Sequence, residues 1–368
     1  VVRLQGFKKK YPFEYYLVGG QVRDQLLGLS SNDYDYVVVG STPEILKKHG
    51  LIQVGKSFPV FIDPKNQDEY ALARKEIKIG NTHQSFEFVF DPSITLQEDL
   101  IRRDFTVNAI CMKDSGELID YFGGLEDLKQ KTLKHISPHF SEDPLRVFRA
   151  AKFSAKLNFS LHPTTLKLCQ KMVSAGELQF LSMERIKAEF DDAFMIHRFA
   201  KFVAALKAMH VWNTDYENDF PDPAIIDQVD SLEYQWVAAG ILCHQNKQAL
   251  PSKITAWKNK YKISNSIESS VKIFLQFMTS VKQHHQDTSI VLPLLSAFQD
   301  GKNQELIHQF SHLLKGLKVL HDLENDWLKF QQLLEHFKKF PWDSIESKSK
   351  DFYQLKCDWL NKFFKDKS

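Results

Sequence analysis

Two aspartates two positions apart, Asp33 and Asp35, open the apolar run Tyr36-Val37-Val38-Val39. Side chains alternate along a strand, so both carboxylates point to one side and can reach a single spot. Parallel carboxylates repel unless cations sit between them, and hard Mg²⁺ is the usual answer beside a phosphate ligand. Taken alone, the pair also describes a solvated turn capped by aspartate. Upstream, Gly19-Gly20-Gln21-Val22-Arg23-Asp24 follows a strand-like run and opens a helix. Glycine amides there can approach a phosphate, and a helix N-terminus adds a favourable field. A plain strand-to-helix turn has the same composition. Further on, Asp143-Pro144 reads as a helix start with aspartate as N-cap and proline at the first position. Arg146 follows Asp143 at a spacing that makes them neighbours on one helical face, and Arg149 comes three residues later. An acceptor held beside a donor can read one particular base edge.

These side chains need a scaffold, and the chain supplies two kinds. From about Tyr15 to Phe122, short runs rich in β-branched and aromatic residues predict strands at Tyr16–Val18, Tyr36–Val39, Phe58–Ile62, Phe86–Phe90, Ala109–Met112 and Glu117–Ile119. Helical stretches interrupt them at Val22–Leu27 and Pro43–Lys48. After Glu142 apolar residues recur at three- and four-residue spacings, and strand-like alternation nearly vanishes. Pro221-Asp222-Pro223 and Asp300-Gly301 are the expected breaks between helical groups. The expected fold class is therefore an α/β head, a mixed sheet with flanking helices, followed by an all-helical remainder.

Composition narrows the setting. With 368 residues, 43% hydrophobic and 26% charged, the chain is an ordinary globular protein of two or three domains, not a disordered one. Its apolar runs are too short for a membrane span, and Lys8-Lys9-Lys10 leads into Tyr11-Pro12-Phe13-Glu14 rather than an apolar secretory core. Four separated cysteines form no CxxC pair, which suits a reducing cytoplasm. A net charge of +2 does not by itself suggest nucleic acid. The placement of arginine does: all nine lie at or before Arg198, and arginine suits bidentate recognition of phosphates and base edges.

In chain order the sequence carries Gly-Gly-x-Val-Arg-Asp, then Asp-x-Asp, Arg102-Arg103-Asp104-Phe105-Thr106-Val107-Asn108-Ala109-Ile110 and Asp120-Tyr121-Phe122-Gly123-Gly124. Glu142-Asp143-Pro144-Leu145-Arg146-Val147-Phe148-Arg149 and Glu184-Arg185-Ile186 follow. This set resembles the bacterial tRNA nucleotidyltransferase, or CCA-adding enzyme, family across Tyr16 to about Glu189. The resemblance implies that Asp33 and Asp35 hold two Mg²⁺, that Gly20 and Arg23 cradle phosphates, and that Arg103 and Asp104 recognise the ribose, with Arg102 equally readable as a surface charge. Asp143 and Arg146 would select the base, with Arg149 as a further nucleotide contact. Gly19, Asn108, Glu142, Glu184 and Arg185 stand in the same motifs and are expected to support these contacts. The implied division is a catalytic head at 1–136, a neck at 137–200, a body at 201–300 and a tRNA-binding tail at 301–368.

The neck pair can be read chemically. Cytosine presents an exocyclic amine beside N3, and adenine an amine beside N1. Asp143 can accept from the amine while Arg146 donates to the ring nitrogen. Guanine and uracil reverse that order, and a buried site left facing the wrong partner discriminates strongly. The implied activity is addition of CCA to the tRNA 3′ end from CTP and ATP, releasing pyrophosphate. Bacterial poly(A) polymerases share these motifs, but Gly55–Phe61, Glu69–Arg74 and the loop-like stretch 74–86 resemble the CCA-adding branch. Partial addition, poly(A) synthesis and a non-catalytic RNA-binding relative are the alternatives.

Some relatives carry a phosphohydrolase marked by adjacent His and Asp. Here His244 is followed by Gln245, a neutral amide, so no such activity is expected; His284-His285 reads as polar helix surface. The amphipathic stretches from Leu313 to Phe340 and from Asp351 to Phe364 read as helices with solvated charged faces, and the resemblance assigns them to the tRNA. No membrane partner is expected. The oligomeric state stays open, with a monomer favoured.

Overall fold

The computed structural model describes residues 4–30, 34–55, 60–78, 86–220, 222–244, 251–282, 288–299, 307–308, 311, 313–314, 323–339 and 350–365. Two compact units divide the chain: Val1–Ser182 with Ala204–Val211, and Met183–Val203 with Trp212–Ser368.

In the first unit, β1 (Glu14–Val18) and β2 (Asp35–Val39) are the central antiparallel pair of a seven-stranded mixed sheet, with Tyr16 opposite Val37. The helix α1 (Gly20–Leu26) connects toward β2, and α2 (Pro43–Lys48) follows it, started by Thr42 as N-cap and Pro43. The sheet continues through β3 (Ile52–Val54), β4 (Val60–Ile62) and β5 (Glu69–Leu72). A separate hairpin pairs β6 (Lys75–Lys78) with β7 (Phe86–Val89), and β8 (Cys111–Met112) and β9 (Leu118–Ile119) complete the sheet. The strand order is β3-β4-β5-β2-β1-β8-β9, and β2 runs parallel to β5.

Strand alternation sorts the two faces. On one, Tyr15, Tyr36 and Tyr70 gather, Tyr36 and Tyr70 stacking with ring centroids 4.8 Å apart. Phe7 and Tyr11 from the N-terminal segment cover them. The other face carries Val18, Val37 and Cys111 and packs against Ile94, Leu96 and Leu100. The last two belong to α3 (Leu96–Leu100), whose start is fixed by a reciprocal capping box between Thr95 and Glu98. Asp35 shares the strand face of Val37.

The strand expected over Ala109–Met112 begins only at Cys111, because Thr106–Asn108 forms a 3₁₀ turn that aims Asn108 inward. Phe58 and Pro59, the expected start of β4, lie outside the described residues. The helix α4 (Gly124–Lys129) is capped by Asp120, whose carboxylate accepts from the main-chain N–H of Phe122, Gly124 and Leu125. The helix α5 (Leu145–Leu157) buries Val147, Phe148, Ala150 and Ala151 and ends at Asn158 in the left-handed region. A short parallel pair, Thr132–Leu133 with Ser160–Leu161, joins the chain before α5 to the chain after it, and α6 (Pro163–Ser174) follows.

The second unit is helical in every described element, from Met183–Met195 to Lys350–Lys365. Its aromatic core centres on Trp236, whose ring lies 4.9 Å from Phe194 and 5.7 Å from Tyr261. The Trp236 indole N–H donates to Asp191 at 2.7 Å, satisfying the polar tip that burial would otherwise strand. Helices at Glu324–Lys339 and Lys350–Lys365 fall in the expected amphipathic stretches, residues 315–322 and Phe340 of the first stretch lying outside the described residues, with Trp327, Phe330, Leu333, Leu334 and Phe337 turned inward from the first helix. The Asp300-Gly301 break, His284-His285 and Gln245 lie outside the described residues. No helix among those described is long and apolar enough to cross a membrane.

One close approach holds α4 to the 3₁₀ turn: a Cβ on Gly124 would sit 2.2 Å from the Thr106 carbonyl oxygen, a main-chain atom that cannot yield alone. Gly124→Ala is therefore expected to destabilise the first unit by about 1–3 kcal/mol through overpacking. Thermal unfolding checks it, and an unchanged midpoint would remove the constraint.

Candidate active site

Leu17 pairs with Tyr36, so the next register step sets Val18 opposite Asp35. The glycine turn after β1 and the first carboxylate of β2 therefore occupy the same end of the sheet. Gly19 has φ +75° and ψ −134°, backbone that glycine adopts without strain. A Cβ there would also come within 3.3 Å of Arg103 Nη1, which places this guanidinium over the turn. Gly20 opens α1, and Asp35 is exposed. Asp33 lies outside the described residues.

Beneath the turn runs a buried polar chain. Arg23, on α1 and 2% exposed, donates through Nε to Asp24 at 2.7 Å and through Nη1 to Asn108 Oδ1 at 2.5 Å. A direct phosphate contact by Arg23 requires that these bonds be exchanged. Asn108 turns its amide N–H to Asp104 Oδ1 at 3.0 Å. Asp104 also accepts from the main-chain N–H of Phe105 at 2.8 Å and, on Oδ2, from Arg149 Nε at 2.9 Å and Nη2 at 2.8 Å. The guanidinium carbons of Arg23 and Arg149 both lie over the Phe153 ring, at 5.1 and 5.3 Å from its centroid. Helices α1 and α5 and the 3₁₀ turn are thus fastened together through one carboxylate. Burial of Asp104 by itself would raise its pKa; the charge of Arg149 and the Asn108 bond outweigh that and hold it below the ordinary carboxylate value.

The start of α5 carries the base-selecting candidates. Asp143, in extended backbone, accepts from the main-chain N–H of Leu145 at 3.1 Å, the cap that its place before Pro144 predicts. Arg146 is anchored by two main-chain carbonyls: Nη1 donates to His139 and Nη2 to Arg102, each at 2.6 Å. Glu142 pairs with His139 Nδ1 at 2.9 Å. Arg102, for which a surface place was equally open, is instead largely buried, with Nη2 2.6 Å from Asp99. Asp99 belongs to none of the motifs, although its helical spacing of three and four residues to Arg102 and Arg103 is a signal that the sequence does carry. Glu184 and Arg185 belong to the second unit, on the helix Met183–Met195.

Carboxylate oxygens are the hard donors that Mg²⁺ prefers, and the exposed Asp35 fits that chemistry. Among the described residues there is no group of three or more His, Cys, Asp or Glu side chains arranged to hold a metal. In the second unit His244 is buried and donates from Nδ1 to the Gly240 carbonyl at 2.8 Å.

Removing Arg149 leaves Asp104 buried without its charge partner. Arg149→Met is expected to cost roughly 2–3 kcal/mol at neutral pH, below the full cost of a wholly buried pair because 34% of the Arg149 side chain is exposed. The lowered Asp104 pKa contributes stability that is complete above the unfolded value of about 4 and is lost as pH falls through the folded value. The variant's buried carboxyl titrates higher, so the difference from the parent should begin to narrow above the unfolded value of about 4 and go on narrowing until pH passes the parent's lowered folded value. Urea unfolding at several pH values reads this, and a pH-independent difference would assign Arg149 to packing alone.

Residues 15–134 match the family described as the poly A polymerase head domain. The chain is 50% identical over 197 residues to a multifunctional CCA protein of Vibrio parahaemolyticus, covering 53% of this chain and 48% of that one. It thus spans about half the length of the curated relatives it matches. Over nearly its full length its fold is similar to the Bacillus stearothermophilus CCA-adding enzyme in complex with CTP, with a TM-score of 0.67 at 22% identity, covering 95% of this chain and 88% of that one. A tRNA nucleotidyltransferase complexed with a primer tRNA and an incoming ATP analogue gives 0.61 at 26% identity, over 88% and 96% of the two chains. The sheet end that unites the glycine turn, Asp35 and Arg103 lies within the matched stretch, so residues 15–134 are similar to the poly A polymerase head domain, and the relatives that match there are named as CCA proteins.

Proposed function

We propose that the chain adds the 3′-terminal CCA to tRNA from CTP and ATP, without a nucleic-acid template, releasing pyrophosphate. The observation that carries this reading is the Asp104–Arg149 pair, which brings the start of α5, with Asp143 and Arg146, under the control of the sheet end bearing Asp35 and the glycine turn. Relatives named as CCA proteins and solved neighbours named with CTP, primer tRNA and an ATP analogue support it.

In the proposed reaction the RNA 3′-hydroxyl oxygen attacks the α-phosphorus of the bound nucleotide. The new P–O bond forms as the hydroxyl proton is lost to solvent and the bond to the bridging oxygen breaks, and pyrophosphate carries off the electron pair. Asp35, with Asp33, would hold divalent cations such as Mg²⁺, which supply a lowered pKa for the attacking hydroxyl and neutralise charge on the leaving group. Gly20 at the start of α1 and Arg23 would receive the triphosphate, Arg23 by exchanging its bonds to Asp24 and Asn108. Arg103 and Asp104 serve the ribose, Asp104 already spending its oxygens on Phe105, Asn108 and Arg149, so a 2′-hydroxyl adds to or exchanges with those bonds. Asp143 accepts from the cytosine or adenine amine while Arg146 donates to the adjacent ring nitrogen. Arg146 suits this part because the His139 and Arg102 carbonyls fix its orientation before any base arrives.

Glu142, Glu184 and Arg185 are proposed as supports, and the division into head (1–136), neck (137–200), body (201–300) and tail (301–368) is kept with tRNA assigned to the helical part. A monomer acting in the cytoplasm is the corresponding setting, in keeping with four free, buried cysteines.

Incubating the protein with a tRNA transcript that lacks its 3′ CCA, and with each nucleotide singly and together, is expected to give growth by three residues only with CTP plus ATP. Long A tails would favour the poly(A) reading; arrest after CC, or no product, would also sink the proposal. Arg146→Ala is expected to reduce discrimination against GTP and UTP by roughly 100-fold, more than it weakens triphosphate binding. Unchanged discrimination in that variant would remove Arg146 from base selection.

A further inference from the structure

Asp99 sits on α3, 1% exposed, between three parts of the site. Its Oδ1 accepts from Arg102 Nη2 at 2.6 Å and from the main-chain N–H of Arg74 at 3.3 Å. Its Oδ2 lies 3.6 Å from Arg103 Nη2, the guanidinium that stands over the glycine turn. Arg102 in turn donates from Nε to the Arg74 carbonyl at 3.3 Å. Both main-chain polar atoms of Arg74 are therefore gripped, immediately before β6 begins at Lys75. Lys75 adds a bond of its own, 2.8 Å to Glu98 on the same helix. From the other side, the Arg102 carbonyl accepts from Arg146.

A carboxylate withdrawn from water is tolerated only when charge and hydrogen bonds surround it. Arg102, Arg103 and Arg74 supply both, so their positions are mutually determined: a displacement of the hairpin root must either break its bonds to Asp99 and Arg102 or carry the Arg102 carbonyl with it. We infer that Asp99 is a positioning residue for nucleotide selection, coupling the root of the β6–β7 hairpin to the anchor of Arg146 and to Arg103 over the glycine turn. The inference rests on the base-selecting part proposed above for Arg146.

The test uses the full chain and needs neither tRNA nor transfer: CTP, ATP, GTP and UTP compete against a fluorescent CTP analogue, and a melting curve verifies folding. Asp99→Asn is expected to lower the preference for CTP over UTP about tenfold, the equivalent of roughly 1.4 kcal/mol. Arg102→Lys keeps a positive partner for Asp99 but removes the Nε donor to Arg74, and should show a smaller loss of the same kind. A CTP-to-UTP ratio unchanged from the parent in a folded Asp99→Asn protein overturns the inference, even if its melting point drops. Should that variant fail to fold, Arg102→Lys decides: a lowered ratio supports the coupling and an unchanged one refutes it. A parent that binds all four nucleotides alike overturns the reading of Arg146 and this inference with it, an outcome distinct from a selective parent with an equally selective variant.

Discussion

A single buried carboxylate, Asp104, carries the geometry of the first unit. It ties the chain after α3 to the 3₁₀ turn through Asn108, to α1 through Asn108 and Arg23, and to α5 through Arg149. Apolar packing of α5 alone would bring that helix to the sheet without choosing its rotation, because hydrophobic contact is non-directional. A two-pronged guanidinium bond to a fixed oxygen does choose it. Val147, Phe148, Ala150 and Ala151 provide the driving force for docking; Arg149 provides the angle.

The same division of labour recurs at the other junctions. The core under α3 is aliphatic, yet α3 begins where Thr95 and Glu98 cap it and presents Asp99 at a defined spot. The helix α4 is held by a glycine contact to Thr106, but its first turn is aimed by three main-chain bonds to Asp120. Polar groups that cost free energy to bury are concentrated where orientation matters, and the remainder of the sheet is left to valine, leucine and tyrosine. A buried polar group whose partners are defined, as those of Asp104 are, holds its surroundings in one arrangement.

Much of this was legible in order along the chain. The glycine turn, the β2 strand with Asp35 at its head, the cap at Asp143 and the change to helix after Glu142 all follow from local composition and spacing, and so emerge without coordinates. What escaped depends on distant partners. Ile52–Val54 is a short exposed strand that pairs with β4 at the edge of the sheet. Glu69–Leu72 is a strand because β2 lies parallel beside it. Ala109 and Ile110 have strand composition, yet Asn108 must reach both Arg23 and Asp104, and the backbone turns to let it. Asp99 and Arg102 meet the main chain of Arg74, 25 and 28 residues away, which no local pattern announces.

The burial of the Asp99 and Asp104 carboxylates has a further consequence. Dissolved ions weaken attraction between exposed charges beyond roughly 8–10 Å at ordinary ionic strength, but they do not penetrate a packed interior. Attractions among exposed lysines and carboxylates must weaken as salt rises, whereas the bonds to the two buried carboxylates change little. Ionic strength therefore acts on this protein selectively, loosening what its surface charges hold while the polar contacts that set the angle of α5 persist.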